Sequence, residues 1–556
     1  MKVLVIGGVA GGASSAARIR RLDENAEIIM FDKGPFVSFS NCGLPYHMSG
    51  AIASSEKLIL MSPEKFASQY NIEARVSSEV TNVDSTNKTV SVINHATGET
   101  YIESYDKLVV SPGAEAFVPN FSGLDLIPNY TLKTVTDVQK IMAEITENEA
   151  EHITVIGAGF IGVEAAENLI EAGKKVTLVE GSDQVLQPLD KDMANLVHLE
   201  LLKHNVDLRL NTLVEDFAER KVLLKGGDSI ETDLVILAIG VKPDTKFLES
   251  SGIEMTDRGH IVVNEEYQTS CKDIWAAGDA ILVNHSLSGD NAPLALAGPA
   301  NKQGRLIADS MYGKKVLNKG YIGSSIIKVF DLTAASTGLN EKQAKAAGIN
   351  YNVAYAAPMD KVGIMPGAAV MPTKILFDEN GKLLGGQIVA TGAADKRVDV
   401  LATAIKAEMD VYDLADLELC YAPPFGTGKD VINKLGYVAM NLLEGIYKQV
   451  RFSEVYDLLE NDAQVIDVRE TGEYARGHID GVINIPMSEM RNRLDELDKS
   501  KPVYVHCQTG QRSYNMTLML MEHGFEALNV AGSYLFISKY EQAMQAFDEN
   551  RKNILV

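Results

Sequence analysis

The stretch "HITVIGAGFIGVEAAENLIEAGKKVTLVE" (152–180) leaves little freedom to any chain that contains it. An apolar strand runs into Gly157, Gly159 and Gly162, a helix follows, and a second strand closes on Glu180. Glycines at G-x-G-x-x-G spacing permit a tight turn and let the backbone approach a pyrophosphate at the helix N-terminus, while the acid accepts hydrogen bonds from a ribose. The expected unit is a dinucleotide fold. No Arg or Lys follows Glu180 in "GSDQ" to neutralise a 2′-phosphate, so NADH is expected rather than NADPH.

A weaker copy opens the chain. In "KVLVIGGVAGGASSAARIRRL" (2–22), Gly7 and Gly12 hold the outer positions of the fingerprint and Val9 the middle one, and the next strand, "EIIMFD", ends in Asp32. Further on, "YDKLVVSPGA" (105–114) reads as a strand closing the first half, and "IWAAGDA" (274–280) as a strand followed by Asp279, placed to bind a flavin ribityl chain. Two dinucleotide units in one chain suggest FAD together with NADH.

At 556 residues, two to four domains are expected. The formal charge of -23 repels nucleic acid and anionic membrane surfaces, so any anionic ligand needs a local basic patch, for which "RIRR" (18–21) is the candidate. No apolar run is long enough for a membrane span, and "MKVLVIGG" is too short and too soon stopped by glycine for a signal peptide. Four cysteines, Cys42, Cys271, Cys420 and Cys507, make neither a disulfide framework nor a zinc site, which points to a reducing, cytoplasmic setting and to no bound metal.

The motifs in this order resemble the pyridine nucleotide-disulfide oxidoreductases. The resemblance implies an α/β fold of two nested Rossmann-like domains, with an FAD-binding domain at 1–115 and 235–320 around an NADH-binding domain at 116–234. An α+β dimerisation domain at 321–445 is expected next, from strands "IIKVF", "TKILF" and "GGQIV" alternating with helical "VDVLATAIKAEM". Cofactor contacts are implied at Gly7, Gly8, Val9, Ala10, Gly11 and Gly12, and at Asp32 and Lys33. They continue at Val80, Ser111, Ala114 and Asp279, and in the second unit at Gly157, Gly159, Gly162, Glu180 and Gly240.

Cys42 lies in "SFSNCGLPY" (38–46), where Ser38, Asn41, Gly43 and Pro45 make a polar, tightly turned segment that can hold a thiolate. Dithiol members of the family carry C-x4-C, but Val37 stands five residues before Cys42. The oxidised form is therefore a mixed disulfide, a persulfide or a sulfenic acid. That leaves coenzyme A-disulfide reductases, persulfide reductases, NADH oxidases and NADH peroxidases. Asn directly before Cys is most similar to the coenzyme A-disulfide reductases, a resemblance covering most of 1–445. It implies coenzyme A contacts at Ser14, Arg18, Arg21, Ser38 and Asn41. It also implies a homodimer in which "CYAPPFGTGKD" (420–430) brings Tyr421 and Lys429 to the partner's Cys42, with Tyr421 donating a proton to the departing thiolate.

Two departures from that pattern matter. Met365, in "GIMPGA", stands where a second tyrosine is expected, and Asn301, in "AGPANKQGR", where a substrate-contacting histidine is common. With one tyrosine fewer, a full coenzyme A leaving group is harder to protonate than hydrosulfide, which favours persulfide or polysulfide as substrate. Cys271 and Cys420 read as structural.

After a linker at 446–452 the pattern changes. "DAQVIDVRETGEYARGHIDGVINIP" (462–486), a strand, a charged turn and a second strand ending in Pro486, and "PVYVHCQTGQRSYNMTLMLMEHGF" (502–525), a strand, loop and helix, resemble a rhodanese domain, giving an α/β unit at 453–556. Cys507 ends a strand before a helix N-terminus, with Gly510 for the turn and Arg512 for positive charge, a setting for a thiolate or persulfide anion. Cys507 would then carry sulfane sulfur and Cys42 would reduce it. An NADH oxidase or peroxidase, with Cys42 cycling through sulfenic acid, is a second reading, and a sulfur carrier or binding module, with the flavoprotein as a redox-sensing platform for a docking partner, a third.

Overall fold

Runs such as "VLVI" at 3–6 and "LVIL" at 234–237 are apolar on both faces, so they need cover on both sides and form interior parallel strands. The computed structural model describes residues 1–316, 318–548 and 550–556. Two compact units result, Met1–Gly181 with Thr212–Tyr321, and Ser182–Asn211 with Ile322–Val556.

In the first unit Lys2–Ile6 is the centre of a parallel sheet ordered Ile274–Ala276, Lys107–Val110, Lys2–Ile6, Glu27–Phe31, Glu73–Arg75. Ile274–Ala276 thus rejoins the amino-terminal strands. Between them in sequence a second parallel arrangement is inserted, with His152–Ile156 flanked by Lys175–Val179 and Leu234–Leu237, and Asn129–Thr131 beyond the latter. The nested pair of Rossmann-like folds expected from the resemblance is therefore present. Helices Ala10–Leu22 and Ala297–Met311 pack so closely that a Cβ on Gly304 would lie 2.3 Å from the Gly11 carbonyl oxygen.

The second unit holds an antiparallel sheet ordered Ser325–Val329, Leu332–Gly338, Leu383–Ala390, Thr373–Phe377, Asn352–Ala356. Thr373–Phe377 and Leu383–Ala390 are buried along their whole length, and Ala394, Val398 and Val431 from two helices close the core with Ile388 and Met371. Its second sheet is parallel, ordered Lys448–Val450, Ala527–Val530, Val503–His506, Gln464–Asp467, Ile483–Asn484.

Two local expectations change. The stretch 446–452 is no free linker: Lys448–Val450 pairs with Ala527–Val530 as an edge strand, anchored by buried Tyr447 and Phe452 on either side. The strand expected up to Pro486 is only Ile483–Asn484, and the charged turn before it contains a short helix, Thr471–Tyr474.

A buried charge cluster lies beside the antiparallel sheet. Lys374, with 0% of its side chain exposed, pairs with Asp190 and Asp192 at 2.9 Å and Glu341 at 2.6 Å. Arg451 reaches the same Glu341 with Nη1 at 3.0 Å and Nη2 at 2.8 Å. Among the described residues no helix is long and apolar enough to cross a membrane.

Candidate active site

Both glycine turns are built alike. Gly7 and Gly157 adopt φ of +95° and +99°, which favours glycine. A Cβ on Gly12 would stand 1.9 Å from the Gly7 oxygen, and one on Gly162 1.8 Å from the Gly157 oxygen. The acid ending each second strand takes a turn amide: Asp32 accepts from the Gly8 and Gly34 N–H at 3.0 and 2.9 Å, and Glu180 from the Ala158 N–H at 2.8 Å. Desolvation pushes the Asp32 carboxyl up, and the Gly34 and Gly8 amides pull it back.

These residues fit dinucleotides. No heavy atom lies within 4 Å of a Cβ built on Gly159, so the helix N-terminus beneath it is open to a pyrophosphate. In the first turn Ala10, Gly11 and Gly12 open helix Ala10–Leu22, Val9 is its N-cap, and the Ser111 N–H donates to the Ile6 oxygen at 2.8 Å. Val80 is buried in strand Ser78–Asp84, Ala114 begins a short strand, Lys33 pairs with Asp244, and Gly240 has φ +125°. Asp279 sits in the turn Gly278–Ala280, 3.4 Å from Lys133 Nζ.

The Cys42 segment hangs from the first turn. Ser38, at φ +47°, donates its N–H to the Gly8 oxygen at 2.8 Å, and Cys42 follows in the turn Asn41–Gly43 that leads into helix Leu44–Met48. Asn41 Nδ2 donates to the Lys133 carbonyl at 3.2 Å, which ties this turn to the base that faces Asp279. Cys42 opens to solvent on one side, and Val37, at the position of a second cysteine, is buried. Desolvation by the protein on its other sides, then the Glu164 and Asp279 carboxylates, push the Cys42 thiol above its ordinary value against a smaller opposing pull from Lys133. The expected thiolate-stabilising setting is therefore not supplied by these neighbours alone. Glu164 is itself raised to about 7, by desolvation and by Glu167, against a hydrogen bond from Tyr46.

The basic run is largely engaged. Arg18 grips Asp309 through Nε at 3.0 Å and Nη2 at 2.6 Å, and buried Arg20 donates to the carbonyls of Tyr70, Asp23, Glu24 and Asn71. Arg21 remains exposed. Ser14 donates its hydroxyl to Asn301 Oδ1, so two positions singled out separately in the sequence meet.

In the second unit, Tyr421 is 53% exposed and Phe425 70%. The Val362 N–H donates to the Gly426 oxygen at 3.1 Å, and buried Arg397 Nη2 donates to the Asp360 oxygen, the Phe425 oxygen and Asp430 Oδ2. The loop of Met365 and the loop of Tyr421 thus form one surface, to which Ile364 adds an 89% exposed side chain. Lys429 Nζ lies 5.7 Å from the centre of the Tyr437 ring.

Cys507 lies just past strand Val503–His506 and is 1% exposed. Its Sγ accepts the Gly510 N–H at 3.2 Å, Gly510 having φ +103°, and its own N–H donates to Ser533 Oγ at 3.2 Å. Arg512 forms a bidentate pair with Glu473 at 2.6 and 2.7 Å, which holds the Glu473 carboxyl down at about 2. Sequence reasoning missed Lys133, Glu164 and Glu473. Glu164 and Glu473 stood inside stretches already quoted, and the signal available was an acid beside a fingerprint; Lys133 carried none.

Residues 1–304 match the family model described as pyridine nucleotide-disulphide oxidoreductase, 324–430 its dimerisation domain, and 452–538 the rhodanese-like domain. Coenzyme A disulfide reductase of Staphylococcus haemolyticus is 34% identical over 443 residues, 79% of this chain and 100% of the relative. The crystal structure of reduced Bacillus anthracis CoADR-RHD superposes with a TM-score of 0.94 at 44% identity, covering 97% of this chain and 98% of the other. The NAD-dependent persulfide reductase from A. fulgidus superposes with a TM-score of 0.92 at 34% identity, covering 96% of this chain and 100% of the other.

Proposed function

The chain belongs to the pyridine nucleotide-disulphide oxidoreductase family and ends in a rhodanese-like domain, and from that premise we propose that it uses NADH to reduce persulfides, polysulfides and coenzyme A disulfide through the single thiol of Cys42. Its class is that of nicotinamide nucleotide-dependent flavoprotein reductases. The observation that carries the proposal is Cys42 standing alone at the surface of its turn, with buried Val37 where a second cysteine would sit.

The Gly7–Gly12 turn, Asp32 and Asp279 hold FAD in this reading, and the Gly157–Gly162 turn with Glu180 holds NADH. FAD, when bound, relays the electron pair of NADH that returns an oxidised Cys42 to its thiolate. The Cys42 thiolate attacks the inner sulfur of coenzyme A persulfide, forming a Cys42–S–S–CoA bond and expelling hydrosulfide with the pair of the broken S–S bond. Ser14, Arg18, Arg21, Ser38 and Asn41 orient the coenzyme, with Arg18 exchanging Asp309 for phosphate.

A second copy of the chain covers the apolar surface of Ile364, Tyr421 and Phe425 and brings Tyr421 and Lys429 to Cys42 of the partner subunit. Tyr421 then gives its phenolic proton to the departing thiolate. Met365, one loop away, has no proton to give, so the site suits hydrosulfide as leaving group better than coenzyme A thiolate. Cys507 carries sulfane sulfur as Cys507–S–SH, and the pantetheine arm of coenzyme A passes it between the two cysteines. Full activity of Cys507→Ser towards every protein-borne and small persulfide would remove that shuttle.

The deciding measurement is anaerobic NADH consumption with coenzyme A persulfide and with coenzyme A disulfide on one preparation. A kcat/KM at least about tenfold higher for the persulfide, equivalent to roughly 1.4 kcal/mol, with sulfide released, supports the persulfide reading. A preference for the disulfide overturns it in favour of thiol balance.

A further inference from the structure

Every guanidinium that touches the Cys507 loop, among the described residues, is already paired with an acid. Arg512 spends both Nη atoms on Glu473. Arg469 is buried on Asp467, with Nε at 2.8 Å and Nη2 at 2.7 Å from Oδ2, and offers the loop only Nη1, 3.3 Å from Gln508 Oε1. The residues between Cys507 and Arg512, "QTGQ", carry no charge. The sulfur itself is buried and faces the Gly510 N–H at 3.2 Å, the Ser533 hydroxyl at 3.9 Å and the side chain of Arg512, whose charge Glu473 already shares.

Such a site discriminates between sulfur donors. Thiosulfate arrives as a dianion and leaves as sulfite, also a dianion, so its approach to a thiolate needs a cation whose charge is not already cancelled. An alkyl persulfide brings at most one charge and leaves as a monoanionic thiolate. We propose that Glu473, by neutralising Arg512, sets the donor specificity of Cys507, admitting sulfane sulfur from persulfides and turning thiosulfate away. The transfer joins Cys507 Sγ to the terminal sulfur of R–S–SH and breaks the S–S bond that held that sulfur; the electron pair leaves on RS⁻, with no net oxidation. This rests on the reading of Cys507 as a sulfur carrier.

The test uses the full chain without NADH, measuring sulfur transfer to cyanide from thiosulfate and from a small alkyl persulfide. Glu473→Gln keeps the hydrogen-bonding shape and removes the charge. It is expected to raise the thiosulfate-to-persulfide ratio of kcat/KM about tenfold or more, chiefly through the KM for thiosulfate, and to make the thiosulfate rate fall more steeply with salt. Glu473→Asp, which keeps the charge, is expected to hold the ratio near that of the wild type. Gln511→Lys, at an exposed position of the same loop, adds an uncompensated cation without touching Glu473 and should shift the ratio the same way should the first variant fail to fold. An unchanged ratio in a folded charge variant, or a wild-type preference for thiosulfate, overturns the proposal. Failure of the underlying reading looks different: the Cys507 peptide would gain no sulfur mass with either donor.

Discussion

Lys374 and Glu341 lie 2.6 Å apart inside the second unit, and Arg451 reaches the far oxygen of the same carboxylate at 2.8 Å. One glutamate therefore joins the antiparallel sheet to the residue just ahead of the stretch that matches the rhodanese-like domain.

Lys374→Met takes the cation from buried Asp190 and from Asp192 and leaves Glu341 to Arg451 alone. The expected loss is about 3–5 kcal/mol, read as a lower urea midpoint. Desolvation raises the Glu341 carboxyl, but Lys374 and then Arg451 outweigh it and hold it at about 2. A depressed carboxyl contributes stability that is complete above its unfolded value, near about 4.3, and lost as pH falls through about 2. Asp190, raised mainly by desolvation, works the other way. Acid titration of the Glu341→Gln protein should show a shallower loss in that window than the wild type; an identical curve would refute this assignment.

Gly159→Ala and Gly162→Ala should part company. A Cβ at 159 meets nothing within 4 Å but fills the space through which a pyrophosphate approaches, so the fold persists while the KM for NADH rises about tenfold or more, roughly 1.4 kcal/mol. A Cβ at 162 strikes the Gly157 oxygen, so the turn opens and thermal stability falls as well. Equal Tm values for the two variants would contradict the geometry.

Glu164→Gln removes a carboxylate that opposes the Cys42 thiolate. Since Glu164 is raised to about 7, it is neutral below that pH and opposes the thiolate above it. In the variant, the pH profile of Cys42 alkylation, followed on its own peptide by mass spectrometry, should move to lower pH. No movement would mean that desolvation, the larger cause, accounts for the raised thiol.

Mixed dimers of Cys42→Ser with Tyr421→Phe test the proposed exchange of loops between copies. If Tyr421 serves the partner's Cys42, the mixed dimer keeps one intact site and recovers activity that neither parent dimer has. Absence of recovery would place Tyr421 in its own subunit's site or outside the chemistry.

Much of this was legible because local rules act through short-range sterics. The glycine spacing at 157–162 has only a few backbone solutions, and a cysteine after strand "VYVH" before Gly510 has few places to go. Partner choice was not legible. "RIRR" reads as one basic patch, yet Asp309 claims Arg18 from 291 residues away and four carbonyls claim Arg20. Likewise Arg512 reads as free positive charge until Glu473 closes on it. Charge becomes field only after the fold has chosen its pairs, and that choice spans distances along the chain that spacing does not encode. The stretch 446–452 was misread for a related reason: three residues make a strand only when a neighbouring edge awaits them.

That short strand also decides where the chain can be cut. A fragment begun at residue 453 loses Lys448–Val450 and leaves the Ala527–Val530 strand with its amides and carbonyls bare along one side, including the Ala531 N–H that now donates to Val450. An uncovered edge of this kind recruits other strands, so such a piece would clump in solution, whereas one begun before Tyr447 takes its own seam along with it.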